Sequence, residues 1–137
     1  MKLLIDTNIV LDHLLDRKPF NQAAGWIFAE TERGQLEAFL GATTVTTVHY
    51  LLAKSLGVEA ARIAIEQLLR LFEVAPITRS VLASALLLKF SDFEDAVLHE
   101  AAVHVGADAI ITRNVKDFHR ADIAVYSSDE FVTSMAV

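Results

Sequence analysis

The sequence predicts an α/β fold in which a mostly parallel sheet carries helices on both faces, a three-layer α/β/α sandwich. Three observations lead there. Short apolar runs of strand length recur at residues 3–5, 38–40 and 109–111. These runs are continuously apolar instead of alternating, as strands buried on both faces are. Longer segments with helical spacing separate them, and strands alternating with helices build parallel sheets.

The elements follow in order. Residues 3–5 form the first strand, and 8–16 a helix with Ile9, Val10, His13 and Leu14 on one side. Pro19 breaks that pattern, and a second helix covers 21–33 before Gly34 stops it. A short strand spans 38–40. Residues 43–55 read as a helix despite their β-branched side chains, because Gly57 follows as a stop. The clearest helix is 58–71, where Ala61, Ile65, Leu68 and Phe72 recur at spacings of four, three and four. A strand at 74–76 and an amphipathic helix at 79–88 come next. Residues 91–105 form a helix opened by Ser91 and Glu94 at capping-box spacing and closed by Gly106. Strands at 109–111 and 123–126 precede a short helical tail from Ser128.

A chain of 137 residues, 53% hydrophobic, fits one domain over residues 1–137 with a sizeable core. No apolar run approaches the roughly 18 residues of a membrane span. The first apolar stretch is also far too short for a signal peptide, so the expected location is cytoplasmic. Without cysteine there is neither a disulfide framework nor a thiolate zinc site. The net charge of −6 argues against a broad basic surface for tracking duplex DNA. A carboxylate pocket that loads cations remains compatible with it, provided that basic residues near its mouth attract the substrate.

Three acid clusters carry the candidate chemistry. Asp6 ends the first apolar run and precedes a helix, at the strand end where ligands collect in open α/β sheets. Capping that helix and binding a metal are both open to it, and one carboxylate can do both. Asp92 and Asp95 share a helix face, where like charges repel. The first-turn macrodipole softens that cost, and a bound cation is the simplest reason to tolerate the pair. Glu94 is read as the capping-box acid alone. Asn114 and Asp117 follow the buried strand 109–111, where Asn114 can offer an amide oxygen to a hard cation. For Asp117 a polar turn competes with direct ligation.

Other chemistry finds little support. His99, four residues after Asp95, is placed to hydrogen-bond it, while His13, His49 and His104 read as core or boundary residues on apolar helical faces. Zinc-ligand histidine spacing, a Gly-x-Ser-x-Gly elbow and a phosphate-cradling glycine loop are all absent from the sequence. An Asp-x-Asp phosphatase motif fails because Asn8 stands at its second acid.

The ordered set resembles the PIN-domain family, especially the VapC-like ribonuclease toxins of prokaryotic toxin–antitoxin pairs. It is carried by Leu4-Ile5-Asp6-Thr7-Asn8-Ile9-Val10-Leu11-Asp12, then Asp92-Phe93-Glu94-Asp95-Ala96-Val97, then Gly106-Ala107-Asp108-Ala109-Ile110-Ile111-Thr112-Arg113-Asn114 and Lys116-Asp117-Phe118. The resemblance implies Mg²⁺- or Mn²⁺-dependent RNA cleavage, with Asp6 and Asp95 as the family's metal-binding, catalytic acids. Asp92, Asn114 and Asp117 complete the expected ligand set. It also implies a cognate antitoxin, while the apolar content and the spare face of helix 58–71 lead to an expected homodimer. Two positions depart from the family. Thr47 stands nearest its usual helix glutamate, and Asn114 where many members have aspartate. Those departures keep a second reading open, a non-catalytic PIN-like module that binds protein or RNA. Arg113 and Lys116 flank the cleft, where each reads either as an RNA-phosphate contact or as a solvated surface charge.

Overall fold

Strand β1 (Lys2–Ile5) is the middle of a five-stranded sheet with the order β3-β2-β1-β4-β5. Its partners are β2 (Glu37–Gly41) and β4 (Ala109–Ile111), and β3 (Glu73–Ala75) and β5 (Ala124–Tyr126) form the edges. Every pairing is parallel, so the sheet is wholly and not just mostly parallel. The computed structural model describes residues 1–118 and 121–135.

Continuous apolar strands supply both faces of this sheet. Leu3, Ile5, Ala38, Leu40, Ala109 and Ile111 point to one side. There they pack with α1 (Thr7–Leu14), α2 (Asn21–Glu32), α3 (Ala42–Leu56), α4 (Val58–Leu71) and α7 (Ser128–Met135). Leu4, Phe39 and Ile110 point to the other side, onto α5 (Arg79–Leu86) and α6 (Phe93–Val105). Two cores flank one sheet, which is the expected three-layer α/β/α sandwich. A 3-10 turn, Val115–Phe118, follows β4 and seats Phe118 in the second core.

Helix ends show where local rules were overruled. α6 begins at Phe93, not Ser91, and its N-cap is Asp92, whose Oδ1 accepts from the Glu94 amide at 2.8 Å. A carboxylate makes a stronger, charge-assisted cap than the serine hydroxyl one residue earlier. Glu94 is therefore not the reciprocal partner of Ser91. α1 ends at Leu14, and Asp16 follows in the left-handed region with φ 52°, ahead of Pro19. At Gly41 the issue is space: a Cβ there would lie 2.6 Å from Leu98 Cδ2. No helix among the described residues is long and apolar enough to cross a membrane.

Candidate active site

Connections from β1 run outward one way to β2 and β3, while β4 and β5 lie on its other side. The order therefore reverses between β1 and β4, and the carboxyl ends of such a pair open a crevice. A cavity of about 300 Å³ lies there. Asp6, Thr7 and Asn8 enter it after β1, Thr43, Thr44 and Thr47 from α3, Asp92, Glu94, Asp95 and Leu98 from α6, and Arg113, Asn114 and Asp117 after β4. All five residues expected as ligands line it: Asp6, Asp92, Asp95, Asn114 and Asp117. Glu94, read from sequence as a cap alone, lines it too.

Asp6 is buried and caps α1 as expected. Its Oδ1 accepts from the Thr7 amide at 2.7 Å and its Oδ2 from the Thr112 hydroxyl at 2.7 Å. Both oxygens are thus engaged, although each keeps a second lone pair for the cavity. The Thr112 hydroxyl also accepts from the Asn114 amide at 3.0 Å, and the Asp117 amide bonds the Asn114 carbonyl at 2.9 Å. A hydroxyl from behind β4 therefore ties the third cluster to the first. On the α3 side, Thr7 Oγ1 donates to Thr44 Oγ1 at 3.0 Å.

Crowded carboxylates leave an electrostatic trace. Asp95, buried, is pushed up to about 7, first by burial and then by the negative charges of Asp6, Asp92, Asp117 and Glu94. Burial also raises Asp6, opposed by its bonds to Thr112 and Thr7 and reinforced by Glu94 and Asp92. Among the described residues no three His, Asp or Glu side chains are gathered closely enough to hold one metal ion as they stand. The donor set nevertheless fits a hard divalent cation. Carboxylates, one amide and threonine hydroxyls are all oxygen donors, and the site carries negative charge in excess of any local base that neutralises it.

Two expectations about neighbouring residues fail. His99 does not bond Asp95: its Nδ1 faces Glu100 Oε2 at 2.9 Å and its Nε2 accepts the Asp122 amide at 3.0 Å. Four residues along a helix place the two side chains near each other, but the ring is drawn toward Phe90 and the second core. His49 and His104 lie exposed, neither in the core nor at its boundary, whereas His13 keeps the expected boundary place, its ring 4.1 Å from that of the buried Phe28.

Sequence reasoning also missed Asp12, Arg17 and Thr112. Asp12 is wholly buried, with Arg17 Nε at 3.0 Å from Oδ1 and Arg113 Nε at 3.2 Å from Oδ2. Oδ2 accepts no well-formed hydrogen bond and is held by charge alone. A charged residue three positions after the buried Ile9, on the face that α1 turns inward, was the available signal.

The strand order and the acid crevice define a class of α/β protein with an acidic pocket at its topological switch point. The chain belongs to the PIN-domain family, whose model matches residues 2–116. Among solved structures it is similar to a DNA-bound VapBC from Salmonella typhimurium, with TM-score 0.72, 18% identity, and coverage of 93% of this chain and 98% of that one. A toxin–antitoxin complex from Klebsiella pneumoniae gives TM-score 0.70 at 22% identity, covering 92% and 97%. The Mycobacterium tuberculosis VapC20, a Sarcin-Ricin loop cleaving toxin, gives 0.62 at 15%, covering 79% and 86%. No curated protein matches the chain in sequence.

Proposed function

We propose that this protein is a metal-dependent endoribonuclease and the toxin of a toxin–antitoxin pair, acting in the cytoplasm. The observation that carries the reading is the convergence of Asp6, Asp92, Glu94, Asp95 and Asp117 on one crevice of a PIN-family chain. The similar folds of toxin–antitoxin proteins and of an RNA-cleaving toxin support it.

Asp6 and Asp95 would hold Mg²⁺ or Mn²⁺, with Asp92, Asn114 and Asp117 as further oxygen donors. Such a cation, when bound, neutralises charge on the phosphodiester and activates a water for attack. The chain's own groups prepare the place. Thr112 and the Thr7 amide fix the Asp6 carboxylate, so that no rotamer freedom is lost on loading. Burial first, and then the charges of the neighbouring acids, raise the Asp95 carboxyl to about 7 in the metal-free site, and a cation beside it would favour the ionised form. On the α3 side of the cavity, Thr43, Thr44 and Thr47 present hydroxyls suited to a ribose or phosphate.

Cleavage of single-stranded RNA should require Mg²⁺ or Mn²⁺ and stop with chelator. Activity undiminished in excess chelator would end the metal mechanism. A cognate antitoxin and a homodimer belong to the same reading, since the similar structures include toxin–antitoxin complexes. Co-expression pull-down and light scattering test them. The uncharged Thr47 and Asn114 are what favour the alternative, a non-catalytic PIN-like module binding protein or RNA. Calorimetry decides it: an enzyme binds Mn²⁺ and loses that binding in Asp95→Asn, whereas such a module binds none.

A further inference from the structure

A second charged constellation stands at the rim of the acid cavity, and it is built around Asp12. This carboxylate is fully buried, yet it meets two guanidiniums, each through its Nε edge. Arg17 comes from just beyond α1 and also donates from Nη2 to the Asn8 carbonyl at 3.1 Å. Arg113 comes from beyond β4, and its guanidinium lies over the Phe20 ring, 4.3 Å from the centroid. Its own amide donates to Asn8 Oδ1 at 3.2 Å. Both arginines are partly exposed and both line the acid cavity. Arg113 also lines an adjoining cavity of about 460 Å³, shared with Phe20, Ser127 and Ser128.

One arginine would neutralise Asp12. Two leave the group net positive, in a chain whose net charge is −6. A free guanidinium beside five carboxylates would be expected to fall in among them, yet among the described residues the ion pairs of Arg17 and Arg113 are to Asp12. Asp12 and Phe20 tether the arginines at the rim and leave the acids uncompensated.

We propose that Arg17 and Arg113, held by the buried Asp12, form a clamp for the RNA phosphate next to the one being cleaved, with Asp12 as its positioning residue. The clamp rests on the ribonuclease reading for its ligand and deepens it, giving an acidic chain its local attraction for a polyanion. Arginine suits this task because its planar fork keeps nitrogens for a phosphate while others are engaged. Arg113 gives one edge to Asp12 and one face to Phe20, and Arg17 gives Nε to Asp12 and Nη2 to the Asn8 carbonyl.

The test is fluorescence anisotropy of a labelled single-stranded RNA of mixed sequence, titrated with the full-length protein over a range of salt. In parallel, calorimetry measures Mn²⁺ binding. Arg17→Gln and Arg113→Gln should each weaken RNA binding on the order of tenfold, as loss of a charged hydrogen-bonding group does. Each should also flatten the plot of log affinity against log salt by about 0.7, the single-strand value for one phosphate. Mn²⁺ affinity should hold or rise. Arg113→Lys should keep the salt slope and recover part of the affinity. Asp12→Asn, if folded by circular dichroism, should weaken RNA binding and also Mn²⁺ binding, because the released Arg113 turns to the acids. Unchanged RNA affinity and slope in both glutamine variants overturn the clamp, and leave the ribonuclease reading intact if wild type still cleaves. Wild type that binds RNA with these slopes but never cleaves sinks the ribonuclease reading and supports the two arginines as an RNA-phosphate clamp in a non-catalytic module. Wild type that binds no RNA overturns both.

Discussion

Asp6 and Asp12 stand at opposite ends of the same short helix, both buried, and their surroundings give them opposite characters. Asp6 caps the N-terminus, where the helix dipole favours a negative charge, and its partners are a hydroxyl and an amide that bring no charge. Around it are more acids, and burial with those acids raises its pKa. Asp12 lies in the last turn, where the dipole is unfavourable, and it is closed off by two guanidiniums. Burial raises it too, against the pull of Arg113 and Arg17. The pair teaches that burial alone does not assign a role to a carboxylate. Neutral donors leave a charge seeking a cation, and cationic partners consume it.

The contrast can be broken most sharply in activity. Asp6→Asn and Asp95→Asn should each lower RNA cleavage by more than about 100-fold, the most that loss of a partner supporting a metal ligand usually costs. Far-UV circular dichroism should show the fold intact, and an active Asp6→Asn would overturn the assignment.

Stability should separate the two acids next. Asp12→Asn removes the carboxylate that pairs with two guanidiniums and should cost about 2 kcal/mol in urea unfolding, below the usual range for a broken buried pair because both arginines keep partial solvent contact. Asp6→Asn removes one like charge from a crowd and should cost nothing or stabilise. Equal losses in the two variants would erase the distinction drawn above.

The acid crowd also sets a pH dependence. Asp95 rises from an ordinary 3.8 to about 7 on folding. An acid raised by folding stabilises most below its ordinary value, and that contribution disappears as pH rises through the folded one. The metal-free protein should therefore lose stability between about pH 4 and 7, on the order of a few kcal/mol from this group. Thermal melts of wild type against Asp95→Asn isolate the effect, which should be missing in the variant and suppressed by Mn²⁺ in wild type.

The smallest effect concerns the third cluster. Asn114→Asp adds a formal charge and should tighten Mn²⁺ binding by about 1 kcal/mol while the charge stays partly solvated. Asp117→Asn should weaken binding only if Asp117 carries what Asn114 lacks. Calorimetry that finds the first change silent and the second large would leave Asn114 outside the ligand set.

The sheet was legible because strands buried on both faces leave an unbroken apolar signature, as at residues 3–5 and 109–111. The acid crevice was legible because each acid sits beside a strand or helix end that periodicity marks. The spacing of Asp12 from Ile9 could have announced its burial but not its pairing, since its second partner, Arg113, comes from beyond β4. The start of α6 failed for a related reason. Ser91 and Asp92 are both able caps, and only the folded chain decides between them. His99 shows the limit of helical spacing, which gives proximity to Asp95 but not the direction the ring takes.

Gly41 makes the crevice dependent on an atom that is missing. Its backbone, at φ −63°, would accept alanine without strain, so only the 2.6 Å approach to Leu98 Cδ2 objects. Leu98 is three residues past Asp95 on α6 and is itself part of the cavity wall. A methyl group at 41 would act as a shim between α3 and that wall, displacing a flexible tip while the sheet stays put. The outline of the cavity would then change with every charge and donor unchanged, which makes position 41 a control on the site's shape and not on its chemistry.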